Sequence, residues 1–316
     1  AFDDILIQDG SSFALNDALS SEFPGRFTKV SPAAAEVHCT YSLYEGQPTR
    51  IFVAPDKEAE RPFLPTPEEV RGKLLLADRG YTCYEYCDAV KAKGGDFIGR
   101  VRDKNFNPTI VKCFRGFADK RGLIGKKLKD IKLPKSNVDL LIRGKDTHGV
   151  QHEVRLVLYY VARKDVRVYL ITTLSAHDYP PSVVASLYRL RWQVELFFKE
   201  CKSYTNLQKF QTKDPHIVEG LIWASMLALL IRRFLLYSAF RNTGTRTAPF
   251  IAAAMSWTFF RDLGRVCVQS FHGLAQTLAR ILEFLRQAAA RTNKQRKSTF
   301  DLFEIGFHSC KHNGDR

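Results

Sequence analysis

Four residues of mixed chemistry, Tyr188, Arg191, Glu195 and Lys202, are separated by steps of 3, 4 and 7. On a helix those steps hold all four within an arc of roughly 60°. The stretch Pro181–Tyr204 predicts one long helix. Pro181 suits a first turn, and neither glycine nor a second proline follows it. Leu187, Leu190, Val194, Phe197, Phe198 and Cys201 form its apolar arc, so the four polar residues lie along the rim of a buried face. A carboxylate flanked by two cations and a phenol suits a site that holds metal and phosphate together. By itself the Arg191/Glu195 pair also reads as an ordinary surface ion pair at i,i+4.

Two aspartates sharpen the choice. The apolar run Ile5–Gln8 predicts a short buried strand ending at Asp9-Gly10, and Lys73–Ala77 predicts another ending at Asp78-Arg79-Gly80-Tyr81. Asp9-Gly10 also reads as a simple turn. Phe97–Arg102 is a further strand, with Arg100 and Arg102 on one face as a phosphate clamp or a solvated face. Two strand-terminal aspartates and a helical glutamate are the parts of a phosphoryl-transfer site with two Mg²⁺ ions, which take oxygen ligands and stand about 3.5–4 Å apart, Mn²⁺ serving as substitute.

The elements that must position these residues follow in order. Residues 35–43 and 49–54 predict strands around the turn Glu45–Pro48, and residues 67–71 a short helix. Residues 82–93 predict a helix closed by Gly94-Gly95. Residues 103–175 are β-rich, with strands at 112–118, 137–142, 151–161 and 167–173 and a lysine-rich segment at 126–135. Pro215–Phe240 is a very apolar helix. Residues 246–316 read as helical, with a basic tract at Arg286, Arg291, Lys294, Arg296 and Lys297. The expected division is a core in two parts, 1–102 and 176–240, a β-rich subdomain at 103–175 between them, and a helical C-terminal region at 241–316.

The chain has 316 residues, 48 Lys+Arg against 33 Asp+Glu, and a formal charge of +15, which points to a polyanionic partner, nucleic acid most simply. Hydrophobic content of 45% excludes a disordered chain. Seven cysteines without a C-x-x-C pair fit reduced thiols and a cytoplasmic setting. The longest apolar run, Leu221–Ile231, is too short to cross a bilayer, so no membrane partner is expected. The chain opens on Ala1 and is in an apparent strand by Ile5, from which missing upstream sequence is expected.

Tyr188, Arg191, Glu195 and Lys202 match the Y-x₂-R-x₃-E-x₆-K signature of bacterial insertion-sequence transposases of the DDE class, in particular the insertion-sequence-4 family, at every spacing. Asp9 and Asp78, the latter in a D-x-G-[YF] motif, resemble that family's first two catalytic aspartates, and the strand around Arg100 is similar to the one that follows them. The resemblance covers roughly residues 1–240 and implies an α/β fold: a ribonuclease-H-like core, a mixed sheet flanked by helices, with a β-rich insertion and a helical C-terminal region. It implies Mg²⁺-dependent cut-and-paste transposition through strand cleavage, a hairpin and strand transfer. Asp9, Asp78 and Glu195 would hold two metal ions. Arg191, Lys202 and Tyr188 would hold phosphate, Arg100 and Arg102 the DNA backbone, and Trp192 would support the site or stack on a base. The expected partner is double-stranded DNA, both element ends and target, bound by a homodimer. The alternatives are a DNA-binding remnant that no longer cuts, and a metal-dependent nuclease of the same fold.

Overall fold

The computed structural model describes residues 2–101, 106–204, 210–240, 261–266, 268 and 271–288. Among the described residues, nine strands form one sheet, in the order β3-β2-β1-β4-β5-β9-β8-β7-β6. They are β1 (Ile5–Ala14), β2 (Ala34–Ser42), β3 (Gln47–Pro55), β4 (Leu74–Ala77), β5 (Asp96–Arg100), β6 (Thr109–Arg115), β7 (Val138–Lys145), β8 (Gln151–Val161) and β9 (Val166–Thr172). β1, β4 and β5 run parallel, whereas β9, β8, β7 and β6 continue the sheet antiparallel from β5. This is a mixed α/β fold, and its 3-2-1-4-5 half has the strand order of a ribonuclease-H-like core.

The parallel strands are nearly continuous apolar runs because both their faces are covered. Ile5, Leu74, Leu75, Leu76, Phe97 and Ile98 are fully buried. Burying one such side chain contributes about 1.5–3 kcal/mol. Parallel neighbours need a crossover, and helix α1 (Tyr84–Ala92) supplies it between β4 and β5. Gly94 ends that helix with φ +78°, a left-handed conformation that glycine adopts without a Cβ penalty. Cys87 and Val90 of α1 join Leu75, Phe97, Leu140, Leu156 and Ile171 in one core cluster.

The structure departs from the sequence reading at three elements. Residues 67–71 form turns rather than a helix: the bonds are i→i−3, Glu69 N to Thr66 O and Arg71 N to Glu68 O, and Gly72 follows at φ +73°. So short a segment does not repay helix nucleation. β1 does not end at Asp9 but runs to Ala14, since it keeps β2 as a neighbour beyond the point where β4 stops. The expected single helix 181–204 is two, α2 (Pro181–Arg189) and α3 (Trp192–Tyr204). At the joint, Leu190, Arg191, Gln193 and Val194 donate to residues three back, the tighter 3₁₀ pattern.

The described residues divide into two compact units, one holding those within 2–12 and 36–195, the other those within 13–35 and 196–288. In the second, the later part of α3 packs on α4 (Pro215–Phe240): Arg233 bonds Glu200 at 3.1 Å and lies 5.2 Å from the Phe197 ring. Asp214 caps α4, its Oδ1 accepting from His216 N at 2.9 Å. Leu235 and Ala239 meet Ile281 and Leu285 of α5 (Phe271–Ala288). Arg286 of the basic tract lies on α5; Arg291, Lys294, Arg296 and Lys297 lie outside the described residues. No described helix is long and apolar enough to cross a membrane.

Candidate active site

One register brings the two aspartates together. β1 and β4 are paired in parallel with Gln8 opposite Ala77. Asp9 and Asp78 each follow by one residue, so they leave the pairing at the same level. Asp78 is extended and opens the 3₁₀ turn Arg79–Tyr81. Asp9 stays in strand, and Gly10 beside it has a specific use. A Cβ at Gly10 would collide with the Glu36 carboxylate and lie 2.9 Å from the Tyr81 hydroxyl.

The joint between α2 and α3 carries the other half. Arg191 bridges two carboxylates, with Nη1 donating to Asp9 Oδ2 at 2.6 Å and Nη2 donating to Glu195 Oε1 in a short ion pair. The Tyr188 hydroxyl donates to Asp78 Oδ1 at 3.3 Å, and its ring lies 5.9 Å from the Arg191 guanidinium carbon. The side chains of Arg191 and Asp9 are only 14% and 13% exposed, far from a solvated surface pair. Residues 9, 78, 188, 191 and 195 therefore form one connected cluster.

Its electrostatics follow from burial and like charge. Burial pushes the Asp9 carboxyl up to about 7; Arg191 opposes this, and the carboxylates of Asp78 and Glu195 add to it. Burial likewise raises the Tyr188 hydroxyl, which therefore stays protonated and able to donate. Burial works against the charge on Arg191, but Asp9 foremost among its anionic neighbours outweighs it and holds the guanidinium charged.

Three hard oxygen donors are of the kind that Mg²⁺ or Mn²⁺ takes. Their mutual repulsion, visible at Asp9, is what a bound cation would relieve. In the conformation described, Arg191 supplies that positive charge, and among the described residues no three acidic, His or Cys side chains are spaced as a ready metal cage.

Arg100, at the end of β5, and Trp192, 54% exposed, line a cavity of about 410 Å³ with Tyr188 and Arg191. Tyr159 and Arg189 line it too, residues that the motif spacing did not single out. Lys202 lies in the last turn of α3, within the second unit. Arg102 lies outside the described residues.

A further group behind the centre was legible only as an alternation. Glu36, His38 and Thr40 occupy one face of β2, a pattern that reads as solvated, yet all three are buried. His38 Nδ1 and the Tyr81 hydroxyl are 2.7 Å apart, and Phe63 stacks on the imidazole at 3.9 Å. Thr40 donates to Gln8 Oε1 at 2.6 Å. These contacts tie the turn after Asp78 to β1 and β2.

The family model described as "Transposase DDE domain" matches residues 1–231. The chain is 26% identical over 250 residues to the putative transposase InsL for insertion sequence element IS186A of Escherichia coli K12, covering 70% of this chain and 65% of that protein. It is 19% identical over 351 residues to the transposase for IS231E of Bacillus thuringiensis subsp. finitimus, covering 96% and 72%. With the IS1151 transposase of Clostridium perfringens the figures are 24% over 276 residues, 75% and 58%. A solved piggyBac transposase synaptic complex with hairpin DNA aligns at a TM-score of 0.44 and 13% identity, covering 96% of this chain and 60% of that one. The chain thus spans about two thirds of the InsL relative's length, and over residues 1–231 it belongs to the DDE transposase domain family.

Proposed function

We propose that this chain is a cut-and-paste DNA transposase of the insertion-sequence-4 type, in which Asp9, Asp78 and Glu195 hold Mg²⁺. One observation carries the reading: three carboxylates from β1, the end of β4 and α3 share one cluster with Arg191 and Tyr188. The ions would supply Lewis acid for in-line displacement at phosphorus. Were the carboxylates to hold metal, Arg191 would be free to neutralise a phosphate oxygen and Tyr188 to donate to one. Lys202 serves the same strand, and Trp192 with Arg100 borders the path of the DNA. Nicking, hairpin formation, reopening and joining to target are all displacements at phosphorus, so one carboxylate set serves each. Two protomers acting on two element ends account for concerted cutting. Residues 103–175 are the insertion between the two parts of the core, 1–102 and 176–240; of the C-terminal region 241–316, residues 241–260 and 289–316 lie outside the described residues. The setting is the cytoplasm.

The test is nicking of supercoiled plasmid in Mg²⁺ or Mn²⁺ by the chain and by Glu195→Gln. Loss of cutting with DNA affinity within about twofold supports the assignment. Undiminished cutting by the variant removes Glu195 from the mechanism.

A further inference from the structure

A second cavity, of about 500 Å³, opens among residues that directly follow Asp78. Three cations from distant parts of the sequence line it. Arg79 is the residue after Asp78, Arg61 comes from the turn Arg61–Phe63, and Lys145 ends β7. Arg61 is held at the rim, its Nη2 donating to Thr82 O at 3.5 Å. All three are exposed, and none is in a salt bridge among the described residues, whereas Arg50, Arg143, Arg155, Arg191 and Arg233 each have a carboxylate. Like charges gathered around a concavity repel one another, which favours an anion from outside.

Two carboxylates are in the lining, Glu85 and Asp146, and that of Glu60 lies against Gly80. Asp146 is already engaged: it faces His152 Nε2 at 3.0 Å and accepts from His148 and Val150 N at 2.8 Å each. His152 Nδ1 meets Asp88 of α1 at 2.6 Å, and the bonds to Asp88 and Asp146 raise the imidazole above its ordinary range. The clasp ties the β7–β8 turn, and with it Lys145, to α1. The first turn of α1 also borders the cavity and adds a partial positive charge.

We infer that this cavity binds a backbone phosphodiester of the DNA strand, a second phosphate site beside the carboxylate cluster. The inference rests on the transposase reading. Because Arg79 adjoins Asp78 in the chain, a strand whose reacting phosphate meets Asp78 brings neighbouring phosphates within reach of these side chains. Arginine forks and a lysine ammonium are suited to phosphate oxygens.

The test uses the full chain and a fluorescent duplex of arbitrary sequence, with affinity measured across a salt series. Arg61→Gln/Arg79→Gln/Lys145→Gln is compared with a control, Arg163→Gln/Lys164→Gln, at exposed cations outside the cavity. Each lost phosphate contact should flatten the slope of log affinity on log salt by about 0.9. The expected result is a flattening of about two to three units in the triple variant and little in the control, with Mn²⁺ affinity unchanged. Cys83, partly exposed in the lining, gives a readout on the unmodified chain. Bound duplex should slow its alkylation several-fold.

An unchanged slope, or one no flatter than the control's, overturns the inference. A flattened slope without protection of Cys83 also overturns it, since that reports long-range charge rather than occupancy. If the unmodified chain fails to bind duplex, the transposase reading falls with it. If the chain binds duplex and the triple variant binds alike, only the cavity inference falls.

Discussion

Arg191 is the residue on which the cluster turns. It bonds Asp9 and Glu195 at once, so a protein cation stands where the charge of a metal would be needed. Removing it leaves the carboxylates less compensated and more attractive to a divalent ion. Arg191→Gln should therefore raise Mn²⁺ affinity in calorimetry by severalfold while weakening DNA binding; a fall in Mn²⁺ affinity would mean that Arg191 organises the carboxylates instead of competing for them. Asp9 gives a pH dependence of definite sign. Its folded carboxyl titrates near 7 against an ordinary 3.8, so between those values the native chain holds a proton that the unfolded chain has released. Stability should fall as pH rises through that window and level off above it. With Asp9 as a proposed ligand, Mn²⁺ would have to displace the same proton, so its affinity should fall below about pH 7. Asp9→Asn should abolish the fall in stability, checked by urea unfolding at pH 5 and pH 8, and should weaken Mn²⁺ binding. Equal pH dependence in both proteins would locate the proton elsewhere.

At the scale of elements, what positions α2 is a buried ion pair. Arg155 of β8 is bidentate to Asp139 of β7, both bonds at 2.8 Å, and also donates to the carbonyls of Leu174, Ser175 and Tyr179. It thereby fixes the segment between β9 and Pro181. Removing one partner of such a pair leaves a buried charge uncompensated, at a cost of about 3–5 kcal/mol. Arg155→Met should lose stability of that order in urea unfolding, and Asp139→Leu/Arg155→Met should recover part of it. Recovery would separate the ion pair from the carbonyl bonds, which both variants lose. This clamp was not legible from the sequence, where Asp139 and Arg155 are ordinary strand residues sixteen positions apart. The break between α2 and α3 was equally hidden. Nothing at Leu190-Arg191 opposes a helix locally, and the joint is where Arg191 reaches across to β1.

At the scale of the molecule, a charge of +15 suits a polyanionic partner and would make the proposed DNA binding steeply salt-dependent. Lys202, in the second unit, belongs to that balance. Lys202→Ala should flatten the salt slope by about 0.9 if it meets one phosphate. An unchanged slope in the same anisotropy measurement would take Lys202 off the DNA path. The family match covers residues 1–231, which include every motif residue from Asp9 to Lys202.

The sequence by itself determined the types of the chemical groups and most of the elements that carry them. Apolar runs specify β4 and β5, a Gly94 stop specifies the end of α1, and strict steps of 3 and 4 place Tyr188, Arg191 and Glu195 near one another, because these are local consequences of period and backbone freedom. Only the tertiary structure decided that Asp9 and Asp78 stand level, since that is a property of one parallel register between strands some seventy residues apart. Only it decided that Arg191 joins Asp9 to Glu195, and that Glu36, His38 and Thr40 are buried behind them. Alternation in a strand tells which residues share a face, but what covers that face is set by parts of the chain far away in sequence.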